Sequence, residues 1–115
     1  MDKLVLVVED DADICNILVE MLHDAGYKAM GAENGVRALE LVSALNFNLV
    51  ITDLAMPQMD GNALLKRLSE SSPAVPVIVT TANPKELEPS PVVRSTIAKP
   101  FDLEQLLVVV EKYIL

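Results

Sequence analysis

Short runs of branched apolar residues alternate along this chain with segments of helical period, and few architectures accept that pattern. The run Leu4-Val5-Leu6-Val7-Val8 has no polar residue to turn toward water, so a strand there needs cover on both faces. That first strand spans 3–8, and further strands are predicted over residues 27–32, 49–52, 75–80 and 95–98. Between them the spacing predicts helices over about 12–25, from an Asn34 cap to about 45, over about 62–69, and from an Asp102/Gln105 capping box to about 114. Ile14, Ile17, Leu18, Met21, Leu22 and Ala25 form one stripe of the first helix, which Gly26 ends. Residues 83–94 hold Pro84, Pro89 and Pro91, which permit one helical turn or two at most. The expected fold is therefore α/β, doubly wound: a five-stranded parallel sheet, helices on both faces, the fourth helix short or absent.

Open sheets of this kind bind ligands outside the carboxyl ends of their strands, where the strand order reverses. The residues just past the predicted strand ends are Glu9-Asp10, Asp53, Thr81 and Lys99. Four ends thus converge on three carboxylates, one hydroxyl and one amine. Crowded carboxylates repel one another unless a cation offsets them. Oxygen-only donors select a hard cation, and Mg²⁺ is usual where a phosphate shares the coordination sphere. A carboxylate is also a nucleophile that forms an aspartyl phosphate. Asp53, on the central strand and followed by a loop, is best placed for that role, with Lys99 and Thr81 supplying donors to phosphoryl oxygens.

Each of these residues also has an ordinary use. Glu9, Asp10 and Asp11 would make a polar strand-to-helix turn, and Asp11 reads as a helix cap. Thr80 competes with Thr81, but by alternation Thr80 belongs to the strand. His23 falls off the apolar stripe and reads as a surface residue. The bland alternatives weaken once Asp53 stands at a second strand end.

Composition narrows the classes. The chain has 115 residues, 51% of them hydrophobic, enough for one domain with its own core over residues 1–115. Seventeen acidic residues against nine basic ones give a net charge of −8, which argues against direct nucleic-acid binding. A single cysteine, Cys15, leaves no internal disulfide and fits a reducing compartment. No apolar run reaches the roughly 18 residues of a membrane span. Met1-Asp2-Lys3 leads straight into a strand, so no leader, no membrane attachment and a cytoplasmic location are expected.

In order and spacing, Val7-Val8-Glu9-Asp10-Asp11, Ile51-Thr52-Asp53-Leu54-Ala55-Met56-Pro57-Gln58-Met59-Asp60-Gly61, Thr81-Ala82 and Lys99-Pro100-Phe101 resemble the motifs of response-regulator receiver domains. The resemblance covers essentially the whole chain, and its most specific block runs from Asp53 to Gly61. It implies a flavodoxin-like sheet of order 2-1-3-4-5 and a phosphoacceptor switch of a two-component or phosphorelay system, regulatory rather than enzymatic. Asp53 would be phosphorylated by a histidine kinase or phosphotransfer domain. Asp10 would ligate Mg²⁺ directly, Glu9 through water, and Ala55 by its backbone carbonyl alongside Asp53. Thr81 and Lys99 would bind the phosphoryl group, and the Lys99-Pro100 bond would be cis. An output partner or fused domain is implied but not identified.

Two departures fall together. The position that carries an aromatic switch residue in the family is Thr96 here, and the stretch between Thr81 and Lys99 is a few residues short. Both touch the usual output face, so a non-standard signalling surface is expected. They also favour the one serious alternative, a receiver-like interaction scaffold that works without phosphorylation. An Asp-nucleophile phosphatase would need a second aspartate two residues after Asp53, where Ala55 stands. Ala55 and Asn83 flank the path of attacking water in the family, and Ala55 cannot orient a water, so fast self-dephosphorylation is not expected.

Overall fold

The computed structural model describes residues 2–56, 59–71 and 74–115. Pro57 and Gln58 of the loop motif, and Met1, lie outside the described residues. Five strands, β1 (Leu4–Val8), β2 (Lys28–Ala32), β3 (Leu49–Asp53), β4 (Val77–Thr81) and β5 (Val93–Ala98), form one sheet of order β2-β1-β3-β4-β5. Every pairing is parallel. The helices are α1 (Ala12–Asp24), α2 (Gly35–Ala44), α3 (Gly61–Ser69) and the C-terminal α4 (Leu103–Tyr113).

Alternation along the strands explains the layering. On one face Leu6, Val8, Val50, Val77 and Val79 pack with Ala38 and Leu41 of α2 and with Leu64, Leu65 and Leu68 of α3. On the other, Val5, Val7, Leu49, Ile51, Ile78 and Ile97 pack with Leu18 and Leu22 of α1 and with Leu106 and Val110 of α4. All five residues of β3 and all five of β4 are buried, as the unbroken apolar runs require. Edge strand β5 instead alternates, with Arg94 and Thr96 exposed.

Each helix starts on an Asp or Asn whose side chain takes a first-turn N–H: Asp11, Asn34, Asp60 and Asp102. Such caps are worth about 1 kcal/mol each, and they fix where each chain segment turns after leaving a strand end. Asp102 accepts from the Gln105 N–H at 2.8 Å, which is the N-cap half of the predicted capping box. At the far end of α1, Gly26 takes φ +96°, a left-handed backbone that glycine adopts without penalty.

Strand boundaries and one helix face differ from the sequence expectation: β1 and β2 each start one residue later, and β3 runs through Asp53, so the acceptor candidate closes its strand instead of following it. Strand β4 begins at Val77 rather than 75, because Pro76 has no N–H to give; its carbonyl accepts the Val50 N–H at 3.0 Å. It also runs through Thr81, so Thr81 closes the strand instead of following it. Strand β5 starts two residues early, at Val93, with a register irregularity opposite Val77 and Ile78. The stripe of α1 differs as well. Leu18 and Leu22 are core, but Ile14 and Ile17 are 39% and 50% exposed. Cys15 and Val19 take part in the packing instead, so the helix is rotated relative to the arc read from the sequence.

Between β4 and β5 a single 3-10 turn, Pro84–Glu86, stands where a further helix had room to form. The proline-bounded segment runs as a strap on the α3 side of the sheet, where Leu87 and Val92 join the core beneath α2 and α3. No helix among the described residues is long and apolar enough to cross a membrane.

Candidate functional site

The carboxyl ends of β1, β3, β4 and β5 lie side by side because the sheet order brings them together. Asp53, the last residue of β3, is 8% exposed. Its Oδ1 accepts the Leu54 N–H at 2.7 Å and the Ala55 N–H at 3.4 Å, and its Oδ2 accepts from Lys99 Nζ at 2.8 Å. Both oxygens are thus oriented before any ligand arrives. Lys99 Nζ also lies 3.7 Å from Glu9 Oε2. Glu9, Asp10 and Asp53 each present an oxygen within 4.8 Å of the others. The sequence brought these four residues forward as one constellation, and they are neighbours.

The electrostatics follow from that crowding. Burial pushes the Glu9 carboxyl above its usual value, and Lys99 opposes the rise while Asp53 and Asp10 add to it. For Lys99, burial works to lower the pKa, but the Asp53 hydrogen bond and the charges of Glu9, Asp53 and Asp10 prevail, so it stays raised. One amine is shared among three acids, and negative charge is left over.

Oxygen atoms bound to one Mg²⁺ at about 2.1 Å lie no more than about 4.2 Å apart. Adjacent oxygens on such an ion lie only about 3 Å apart, so carboxylates that stand within 4.8 Å of one another would draw together on binding, and an all-oxygen donor set suits a hard cation.

The remaining predicted positions are less direct. Lys99 donates its backbone N–H to the Thr81 carbonyl at 2.8 Å, and the Lys99-Pro100 bond is cis. The Thr81 hydroxyl is buried and accepts the Asn83 N–H at 3.0 Å. Thr80, not Thr81, is the register partner of Asp53. Ala55 is exposed. Thr96 is exposed on β5, opposite Val79. Asp11 caps α1, and His23 is exposed in its last turn. Cys15 is half-buried, with its thiol pushed up by burial and by Glu9, which disfavours the reactive thiolate.

Sequence reasoning missed Asn62. Its amide bonds the Glu86 carbonyl at 2.8 Å, and its oxygen accepts the Glu88 N–H at 3.0 Å. A polar residue on the second position of a short helix carries no periodic signal that would have marked it.

The chain matches the family model for the response regulator receiver domain over residues 5–111. It is 34% identical over 119 residues to the response regulator receiver protein CpdR of Brucella abortus, covering 98% of each chain. It is 42% identical over 78 residues to the transcriptional regulatory protein ZraR of Klebsiella oxytoca, but that match spans 68% of this chain and 18% of the relative's length. Among solved structures, the response regulator TrrA of Thermotoga maritima, in complex with Mg²⁺-BeF, superposes with a TM-score of 0.88 at 30% identity, covering 97% of this chain and 99% of that one. With a matching family model across nearly its whole length and the same sheet beneath the acidic edge, the chain belongs to the response regulator receiver domains, the phosphoacceptor switches of two-component signalling.

Proposed function

We propose that Asp53 is the phosphoacceptor of this switch, with phosphoryl groups supplied by a histidine kinase or phosphotransfer domain. The observation that carries the assignment is the pairing of Asp53 Oδ2 with Lys99 at 2.8 Å beside Glu9 and Asp10. A carboxylate oxygen of Asp53 would attack phosphorus, the donor's bond to phosphorus would break, and the donor would leave with that electron pair. Lys99 offsets charge on the phosphoryl oxygens, and Leu54 and Ala55 N–H groups hold the carboxylate in place. Thr81 donates its hydroxyl to a phosphoryl oxygen. Asp10, Asp53 and the Ala55 carbonyl would hold Mg²⁺ directly and Glu9 through water. The ion, when bound, neutralises charge that would repel the incoming group.

The working context is the cytoplasm, and output passes through a protein partner or fused domain rather than through nucleic acid, given the net charge of −8. The test is incubation with a small-molecule phosphodonor and Mg²⁺, read by intact mass. Wild type is expected to gain one phosphoryl group, and Asp53→Asn none. Uptake by Asp53→Asn would move the acceptor elsewhere. No uptake by wild type would favour the scaffold reading, for which the exposed Thr96 speaks.

A second expectation concerns metal and pH. Because the folded Glu9 pKa lies above its ordinary 4.5, the metal-free native state binds more protons than the unfolded chain in the window just above 4.5. Stability contributed by Glu9 therefore falls as pH rises through that window. Mg²⁺ reverses the loss, since it binds the deprotonated cluster. At a hundredfold excess over Kd the ion adds about 2.7 kcal/mol, or about 10 °C in melting temperature for a chain of this size. Melts at pH 5 and pH 8 are expected to show the larger Mg²⁺ effect at pH 8. An equal effect at both would mean that the acids do not form the site.

A further inference from the structure

The strap between β4 and β5 is tied down at three points. At its start, the Asn83 N–H is held by the Thr81 hydroxyl at 3.0 Å. The 3-10 turn follows at once, with the Glu86 N–H on the Asn83 carbonyl at 3.0 Å and the Leu87 N–H on the Pro84 carbonyl at 3.2 Å. In its middle, Asn62 of α3 grips both the Glu86 carbonyl and the Glu88 N–H. At its end, Val92 is buried and its carbonyl accepts the Val77 N–H at 2.9 Å.

The two jaws of the middle clamp both lead back to the acidic site. Asn62 follows Gly61, whose N–H donates to the carbonyl of Leu54 at 2.7 Å, one residue after Asp53. The strap side leads through the turn and Asn83 to Thr81. We propose that Asn62 is a positioning residue of the switch: it converts a movement of Thr81 into a movement of the strap against α3. The inference rests on the reading of Asp53 as phosphoacceptor and Thr81 as a phosphoryl contact.

The chemistry of the hydroxyl permits it. A threonine oxygen has one O–H and two acceptor positions, so Thr81 can donate to a phosphoryl oxygen while still accepting from Asn83. Moving toward the new ligand, it draws Asn83 along. Pro84 then passes the shift into the turn, because its ring leaves little freedom in φ. An exposed Thr96 offers no ring to carry the signal across β5, whereas the clamp is a continuous chain of hydrogen bonds.

Amide exchange of the full chain, with Mg²⁺ and with or without beryllofluoride as the phosphoryl mimic, tests the proposal. In wild type the Glu88 amide is expected to change its exchange rate about tenfold between the two states, the size of effect that making or losing one such hydrogen bond gives. In Asn62→Ala that amide exchanges fast in both, and the effect of the mimic on residues 85–91 disappears. Asn62→Asp keeps an acceptor for the Glu88 N–H but loses the donor to Glu86, so it is expected to retain Glu88 protection and lose the response. Phosphoryl uptake by intact mass stays within about twofold of wild type in both variants, because neither touches the reacting groups. An unchanged strap in wild type, or a full response in Asn62→Ala, overturns the inference. Failure of wild type to take up a phosphoryl group would instead strike the acceptor reading on which it rests.

Discussion

Gly61→Ala is expected to destabilise the domain by about 3 kcal/mol, the upper part of the usual overpacking range. A β-carbon there would sit 2.5 Å from Leu54 Cα, 2.6 Å from the Asp53 carbonyl oxygen and 2.8 Å from Leu54 Cδ2. Two of these three atoms are backbone, and the side chain of Leu54 is itself buried, so no flexible end can swing away. The helix must retreat, and its first bond, Gly61 N–H to the Leu54 carbonyl at 2.7 Å, is the one that retreats with it. Because Leu54 N–H also holds Asp53 Oδ1, the same displacement disturbs the acceptor. The variant should therefore lose about 10 °C in melting temperature and take up phosphoryl groups more slowly where it is still folded. Urea or thermal melts give the first number and intact mass the second. A variant as stable as wild type would mean that α3 does not approach the end of β3 as closely as described.

That dependence on a backbone contact marks the boundary of what could be read from the sequence. The ends of β1, β3 and β4 were legible to within a residue because each rests on a local signal: an apolar run that must be buried on both faces, closed by a polar residue. Parallel order then forces Asp10, Asp53 and Lys99 to one edge, with no knowledge of their side-chain geometry. The caps at Asp11, Asn34 and Asp102 are equally local, each an Asx side chain just before a helical stripe. Asp60-Gly61 reads in sequence as a turn and helix start, which it is; that Gly61 also lies against Asp53 is a tertiary fact. Where neighbours decide, the reading slipped. Ile14 and Ile17 match the helical period, yet only packing on the sheet determines which arc of a wide stripe is covered. Thr81 belongs to β4 because β5 offers it a partner in Ala98, and the extra residues of β5 owe their pairing to an irregularity near Val77. The Asn62 clamp spans 24 and 26 positions to backbone atoms, and backbone atoms have no sequence identity to read.

The charge of the site sets up the second large effect. Lys99→Met keeps the length and apolar stem of the side chain but removes the only amine bonded to Asp53 among the described residues. Glu9 and Asp53 have side chains only 5% and 11% exposed, so without Lys99 two nearly buried carboxylates face each other with Asp10 at hand. Removing one partner of a buried pair costs about 3–5 kcal/mol. Lys99 is itself 26% exposed, and water entering its place offsets part of the loss, which brings the expectation to about 2 kcal/mol at neutral pH without metal. Glu9 would respond by rising further in pKa, since the cation that opposed its burial is gone. Two comparisons separate this account from a loss of packing. With saturating Mg²⁺ the variant should recover most of its stability, because the ion replaces the missing charge. In an Asp53→Asn background the same substitution should cost less, because one of the two paired acids is then neutral. Phosphoryl uptake should fall on the order of a hundredfold, the usual consequence of deleting one donor to the developing charge. If the melting temperature drops equally with and without Mg²⁺, and equally in the Asp53→Asn background, Lys99 serves as packing and the electrostatic description of the site is wrong.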